Sequence, residues 1–435
     1  MVSKKWYKRF TVYFFCLFIL YPVLARAQET ITPGETLDLE RCIAIALKNH
    51  PNVMGAAGSL RASQSRVYEA KSNYWPQVNG SADYSRNHSS SSSNLALTGN
   101  PSYNQYQGAV NLNQTILDFG KTSAQVDVQT YGAEASKEDL QDVTRQIVFG
   151  VQQSYYGILQ SQQGRDANAE AVRQFQLHLD QAQRFYEVGT RAKIDVTNAE
   201  VGLGQAKLNL INAENALRIA KVTLNNAMGV PDAPEYRIQE TPAFKDFPID
   251  LETALKRGYE NRPDLASAKA KSEAAQRSIE VAQKGYYPVL SGNAQYGYAG
   301  ENFPLANQWT FGAALNFPIF SGYLTKYQVE ESRGNLDVAK ANEAFIRQGV
   351  TLDIQQAFYN LQGVRERVVV AELTMKQAKE NRELAQGRYA AGVGNTIEVI
   401  DAVVAEVNAK TAYITAQFDY RIAVAALEKA MGEGK

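Results

Sequence analysis

The sequence predicts a mainly α protein with a small transmembrane β-barrel, written as two tandem repeats that each hold long coiled-coil helices and a β-hairpin. Three observations carry this. Residues 37–84 align with 249–296 at an offset of 212, and later residues align at an offset of 203. Prolines are absent between Pro101 and Pro231 and again after Pro318. Four short segments alternate apolar and polar residues with a period of two, the mark of a strand with two unlike faces.

The first element is a leader. Lys4, Lys5, Lys8 and Arg9 precede an apolar run from Phe10 to Leu24, and Ala25-Arg26-Ala27 supplies a small-x-small cleavage site. That is the three-part pattern of a secretory signal peptide over residues 1–27. The run is shorter than the roughly 20 apolar residues of a spanning helix. Cys16, inside it, lacks the small residues that precede a lipoprotein cysteine, so no lipid anchor is expected. The chain holds 45 basic and 45 acidic residues, and the leader takes away five basic residues and no acidic one, leaving a charge of −5. A mildly acidic exported chain is not a nucleic-acid binder by charge. Cys42 alone remains, which excludes an intrachain disulfide.

The duplication sets the organisation. Leu39/Leu251, Pro51/Pro263, Pro76/Pro288, Gly80/Gly292 and Tyr84/Tyr296 pair at the first offset; Gln152-Gln153/Gln355-Gln356, Tyr156/Tyr359 and Met228-Gly229/Met431-Gly432 pair at the second. The nine-residue difference falls near the serine run Ser89 to Ser93, read as a loop. Residues 28–76 and 249–288 are expected to form shorter helices, and 115–229 and 318–435 the long helical hairpins, with 230–248 connecting the repeats. Proline costs about 3 kcal/mol inside a helix, so long helices belong in the two proline-free stretches. Val148, Val151, Tyr155, Ile158 and Leu159 keep the 3-and-4 step of a helix stripe. Lys121–Glu187 reads as one helix, roughly 100 Å long at about 1.5 Å per residue. Ile194–Met228 returns from its turn, and Gly322–Ala390 and Ile397–Met431 repeat the pair. Helices this long must pack lengthwise on others, as in a coiled coil.

The strands fall in residues 77–114 and 289–317. Val78–Tyr84 sets Val78, Gly80, Ala82 and Tyr84 against Asn79, Ser81 and Asp83; Tyr106–Asn113 sets Tyr106, Gly108, Val110 and Leu112 against Gln107, Ala109, Asn111 and Asn113. Leu290–Tyr298 alternates likewise, and Trp309–Phe317 presents Trp309, Phe311, Ala313, Leu315 and Phe317 on one side. Strands of about 8–11 residues with aromatic ends and an opposite polar face suit a transmembrane barrel. Four strands cannot close one, and a bilayer tolerates no open sheet edge, so the chain must assemble with its own copies. A dimer gives eight strands and a trimer twelve. Eight leave an interior filled by side chains, and a conduit needs more.

Each long hairpin turns on a glycine. "RFYEVGTRAKIDVTNAE" (Arg184–Glu200) and "RYAAGVGNTIEVIDAVVAE" (Arg388–Glu406) align Gly189 with Gly392, Ile194 with Ile397, Asp195 with Glu398 and Val196 with Val399. Glu398 and Asp401 stand three apart on a helix, so both can face one direction. They are equally the acids that a helix start attracts to its positive end. No nucleotide loop, nucleophile elbow or catalytic acid pair appears, and His50, His88 and His178 are scattered without ligand-spaced partners, so neither an enzyme nor a cofactor or metal site is expected. His50, beside Pro51, reads as a helix-junction residue.

The order of helix, strand pair, long helix, tip turn and returning helix, twice over, resembles the TolC-type outer-membrane efflux and secretion channels. The likeness covers essentially the whole mature chain. Its marks are "NRPDL" (Asn261–Leu265), the bends "QTILDFG" (Gln114–Gly120) and "FPIFSG" (Phe317–Gly322), and the two tip turns. The resemblance implies a homotrimer with a twelve-stranded barrel in the outer membrane of a Gram-negative bacterium, continued by a twelve-helix tunnel through the periplasm. It implies partners too: a periplasmic adaptor (membrane fusion protein) and an inner-membrane transporter of the RND, ABC or MFS type. It matches Glu398, Asp401, Asp195 and Tyr389 to the closed periplasmic entrance, and the tip turns Gly189, Thr190, Gly392 and Val393 to adaptor contact. The pattern departs at Gly394, where a relative carries a latching arginine, while this chain has Arg191 in its first repeat. The residues alone also fit a secreted elongated coiled-coil protein, which detergent dependence separates from a channel.

Overall fold

The computed structural model describes residues 31–88, 102–240 and 247–434, so the leader and Ser89 to Ser93 lie outside the described residues. The chain opens with β1 (Thr36–Leu37), α1 (Leu39–Asn49) and α2 (Pro51–Ser72), then the hairpin β2 (Gln77–His88) and β3 (Ser102–Leu117). The long pair α3 (Lys121–Glu187) and α4 (Lys193–Ala227) follows. After β4 (Arg237–Ile238) the order returns: α5 (Leu251–Asn261), α6 (Pro263–Gln283), β5 (Val289–Gly300), β6 (Ala306–Asn316), α7 (Leu324–Ala390) and α8 (Thr396–Ala430).

Equivalent residues start equivalent elements. Asp38 caps α1 by accepting from the Arg41 N–H at 2.7 Å, and Asp250 caps α5 by accepting from the Thr253 N–H at 2.9 Å. Such a cap satisfies a backbone donor that the helix leaves free. Pro51 and Pro263 open α2 and α6, where a missing N–H costs nothing. His50 occupies the α1–α2 junction, its Nδ1 accepting from the Asn52 N–H at 3.2 Å. In the second repeat Arg262 holds the same place and pairs with Asp264 at 2.6 Å and Asp353 at 2.8 Å, which gives "NRPDL" its local purpose.

The strands run longer than the alternating segments that predicted them, and two boundaries differ from the sequence expectation for a local reason. Helix α7 starts at Leu324 and not at Gly322, because Gly322 (φ 62°) and Tyr323 (φ 65°) are left-handed and cannot join a right-handed helix. The first hairpin runs past residue 114 to Leu117, through a register shift between Thr115 and Leu117 that breaks the alternation. The other seven long-helix ends agree within a residue.

Strands β2, β3, β5 and β6 form one antiparallel sheet in that order. Register places Val78, Leu112, Ala294 and Phe311 in one row across it, and Tyr84 opposite Tyr106. The apolar residues therefore share a single face, and that face is bare: Trp309 is 74 % and Phe311 79 % exposed. Both outer edges, β2 and β6, are unpaired among the described residues. No described helix is long and apolar enough to cross a membrane.

Away from the sheet the helices lie side by side. Towards the strands, α2, α3, α6 and α7 pack in sequence; towards the turns the order is α4, α3, α8, α7. Where the two arrangements meet, each repeat builds a core from matching positions. Val151, Tyr155, Ile158, Leu224 and Met228 serve the first, and Ile354, Phe358, Leu361, Leu427 and Met431 the second. The flanking helices are not satisfied within the chain. Exposed apolar residues recur every seventh position on α7 (Val338, Phe345, Leu352, Tyr359) and on α4 (Ile194, Val201, Leu208). A seven-residue apolar repeat is the seam of a coiled coil, here without its partner helix.

Candidate functional site

The two tip turns are the same structure built twice. Val188 caps the end of α3 and Gly189 takes φ 75°; Ala391 caps the end of α7 and Gly392 takes φ 80°. Thr190 N–H donates to Phe185 C=O at 2.9 Å, and Val393 N–H donates to Arg388 C=O at 3.0 Å. The N–H groups of Gly189 and Gly392 donate to Tyr186 and Tyr389 carbonyls at 2.9 and 3.1 Å. This is a Schellman cap, whose left-handed residue glycine adopts without strain. Gly189, Thr190, Gly392 and Val393 are all exposed at the extremity of the hairpins.

Arg191 ties the two turns together. Its guanidinium donates to the Gly394 carbonyl at 2.6 Å and stands 5.0 Å above the Tyr389 ring. Gly394 has no room for a side chain, since a Cβ there would lie 2.9 Å from the Tyr389 nitrogen. The glycine at the divergent position thus serves as acceptor and Arg191 as donor, across the hairpins of one chain.

The predicted acids separate. Glu398 and Asp401 lie exposed on α8. The Glu398 N–H donates to the Asn395 side chain at 2.8 Å, and its carboxylate stands 3.5 Å from Arg388 Nε. Both partners of that pair are well exposed, so it is worth at most about 1 kcal/mol. The Asp401 side chain has no hydrogen bond or ion pair among the described residues. Asp195 lies half-buried in the first turn of α4.

Tyr389 is placed differently from a lining residue. It is fully buried, packed edge-on by His178 at 4.9 Å and by a tilted Phe185 ring at 5.7 Å, and its hydroxyl has no hydrogen bond of good geometry. Burial first, then Asp195, pushes its phenol upward, so it stays neutral at ordinary pH. His178 belongs to this cluster. It is 3 % exposed, and its Nε2 lies 2.7 Å from the Thr396 hydroxyl at the start of α8. The sequence held a signal for it: His178 continues the buried stripe Ala171, Phe175, Ala182 at steps of 3 and 4. Further from the tip, Gln386 donates to Gln174 at 3.4 Å and Gln160 to Thr415 at 3.2 Å, so polar contacts recur along the α3 seam. Among the described residues no group of His, Cys, Asp or Glu is placed to hold a metal ion.

Comparison with known proteins gives the same architecture. Outer membrane protein TolC of Escherichia coli is 23 % identical over 408 residues, spanning 88 % of this chain and 80 % of that protein. Outer membrane efflux protein BepC of Brucella suis is 22 % identical over 98 % of this chain and 92 % of its own length. The Campylobacter jejuni CmeC outer membrane channel superposes with a TM-score of 0.79 at 21 % identity, covering 91 % of this chain and 85 % of that one. The outer membrane efflux protein family matches residues 42–230 and 255–433, two stretches that correspond to the two repeats. With most of its length so matched, the chain belongs to the outer membrane efflux protein family.

Proposed function

We propose that the protein is a homotrimeric outer-membrane channel, a passive exit for substrates of a tripartite efflux pump or a type I secretion system. The observation that carries this is the pair of unsatisfied flanks on one chain. The sheet ends in the unpaired edges of β2 and β6, and the helical layer ends in the bare seven-residue seams of α4 and α7. Rotation about one axis satisfies both at once: β6 pairs with β2 of the next copy while α7 packs on its α4. Three copies supply twelve strands and, at the tip end, twelve helices, and twelve strands leave room for a lumen. The bare apolar face of the sheet then meets lipid.

The tips form the periplasmic entrance in this proposal. Glu398 and Asp401 in three copies line it, Asp195, Arg191 and Tyr389 hold the hairpins together behind them, and the exposed turns at Gly189, Thr190, Gly392 and Val393 receive the adaptor. Docking to the adaptor and an inner-membrane transporter opens the tip. Cargo is chosen by the transporter, since a passive tunnel adds little selection beyond the charge of its rings.

The test is the mass of the detergent-solubilised protein together with its conductance in planar bilayers. A trimer that leaves the outer-membrane fraction only with detergent and conducts ions is expected. A monomer in mild detergent, or release without any detergent, overturns the proposal.

A further inference from the structure

His178 stands where the two hairpins meet, and four elements close around it. Helix α3 carries it, with Phe175 and Leu179 in the surrounding apolar cluster. Helix α7 brings the Tyr389 ring edge-on at 64°, and α8 brings the Thr396 hydroxyl to Nε2. Helix α4 brings the Asp195 carboxylate, whose charge acts on the imidazole.

We propose that His178 is a proton-operated part of the latch: the neutral imidazole holds the α3–α8 seam closed, and its protonation loosens the tip and favours the open channel in acid surroundings. This rests on the tip being the entrance. A neutral imidazole has one donor and one acceptor nitrogen, and Thr396 satisfies the nitrogen it faces. An imidazolium has two N–H donors and a full charge, and among the described residues its one hydrogen-bond partner is Thr396. Burying a charge without adequate partners is costly.

The other charged groups at this level do not relieve that cost. Arg191 is a cation, already committed to the Gly394 carbonyl and the Tyr389 ring. Arg388 and Glu398 face each other at the surface, and Asp180, on α3 itself, accepts from Gln176. Asp195 is the one group that favours the proton, and burial outweighs it, so the imidazole is held below its ordinary value. Opening the seam wets His178 and restores a value near about 6.5. The open form then takes up a proton more readily than the closed form. The closed seam keeps its full stability above about pH 6.5 and loses it as pH falls below. Each unit between the two values shifts the open-to-closed ratio by up to about tenfold.

Planar-bilayer recording of the full-length protein at about pH 7.5 and about pH 5.5 reads this directly. Wild type is expected to raise its open probability roughly fivefold or more on acidification. His178→Gln keeps a polar group towards Thr396 and does not titrate, so its response should be flat. Thr396→Val removes the partner and keeps the titrating ring, so it should be leakier at the higher pH and still respond to acid. A wild-type pH response in His178→Gln, or a flat Thr396→Val, overturns the proposal. Arg191→Ala serves as the open-pore control. Current through that variant alongside a flat wild type rejects the proton latch alone, whereas no current through any variant rejects the channel.

Discussion

Removing Arg191 isolates the strongest contact between the tips. The guanidinium donates to the Gly394 carbonyl at 2.6 Å in a part-buried setting and covers the Tyr389 ring at 5.0 Å. A hydrogen bond from a charged donor contributes about 1.5–3 kcal/mol, and an exposed cation–π contact about 0.5–1 kcal/mol. The two share one side chain and do not add fully, and solvent reaches the group, so about 2 kcal/mol is a fair figure for the latch in one chain. That is roughly a 30-fold change in the ratio of latched to unlatched tips. Arg191→Ala should therefore raise single-channel conductance or open time at neutral pH. Arg191→Lys should fall between, because it keeps the cation over the ring and loses the planar fork. Trimer mass and thermal midpoint should hardly move, since the two large cores lie elsewhere. An Arg191→Ala trimer with wild-type conductance and open time would show that Arg191 does not latch the entrance.

Replacing Glu398 and Asp401 together by alanine should leave folding and assembly intact, as both are exposed and the Asn395 cap uses the backbone N–H of residue 398. It should reduce cation selectivity under a salt gradient and weaken block by multivalent cations; unchanged block would place the constriction elsewhere. Ile354→Ala, at a fully buried position, should cost about 2–5 kcal/mol in denaturant unfolding. A cost below about 1 kcal/mol would mean that Ile354 is not packed in the second core as described.

Much of this was legible because the governing signals are local. Proline exclusion located the long helices α3, α4, α7 and α8, and period-two alternation found the four hairpin strands, since both follow from backbone geometry that any window of residues reveals. The start of α7 was not legible, because positive φ at Tyr323 is a tertiary outcome that a tyrosine does not advertise. Nor was the environment of Tyr389. Tyr186 is its equivalent in the first repeat at an offset of 203, yet Tyr186 is 47 % exposed and Tyr389 fully buried. The same local sequence meets solvent at one tip and the neighbouring hairpin at the other. His178 was missed for a related reason: it was weighed as a metal ligand by spacing, and its stripe position was not weighed as a seam between helices.

That inequality between the repeats has a consequence for a trimeric ring. In the proposed trimer, matching residues by the offset of 203 would carry the α3–α8 seam within a chain onto an α7–α4 seam between chains. The neighbouring α3–α7 glutamine contact keeps its residue types under the same shift, because Gln174 and Gln386 correspond to Gln377 and Gln183. The latch does not. Where Arg191 would stand is Gly394, which has no side chain to offer, and where His178 meets Thr396 the between-chain seam holds Asn381 and Lys193. In the proposed trimer the ring would alternate three seams that hold the Arg191 contact with three that lack it. Opening should begin between chains, with each chain's own hairpins moving as a unit. Hydrogen exchange on the trimer tests this. Amides in the first turn of α4, on the unlatched side, should exchange faster than those in the first turn of α8. Arg191→Ala should speed exchange at α8 and narrow the difference. Equal rates at the two turns in the wild-type trimer would mean that the seams are held alike, and that the duplicated tips had not diverged into a fixed joint and a moving one.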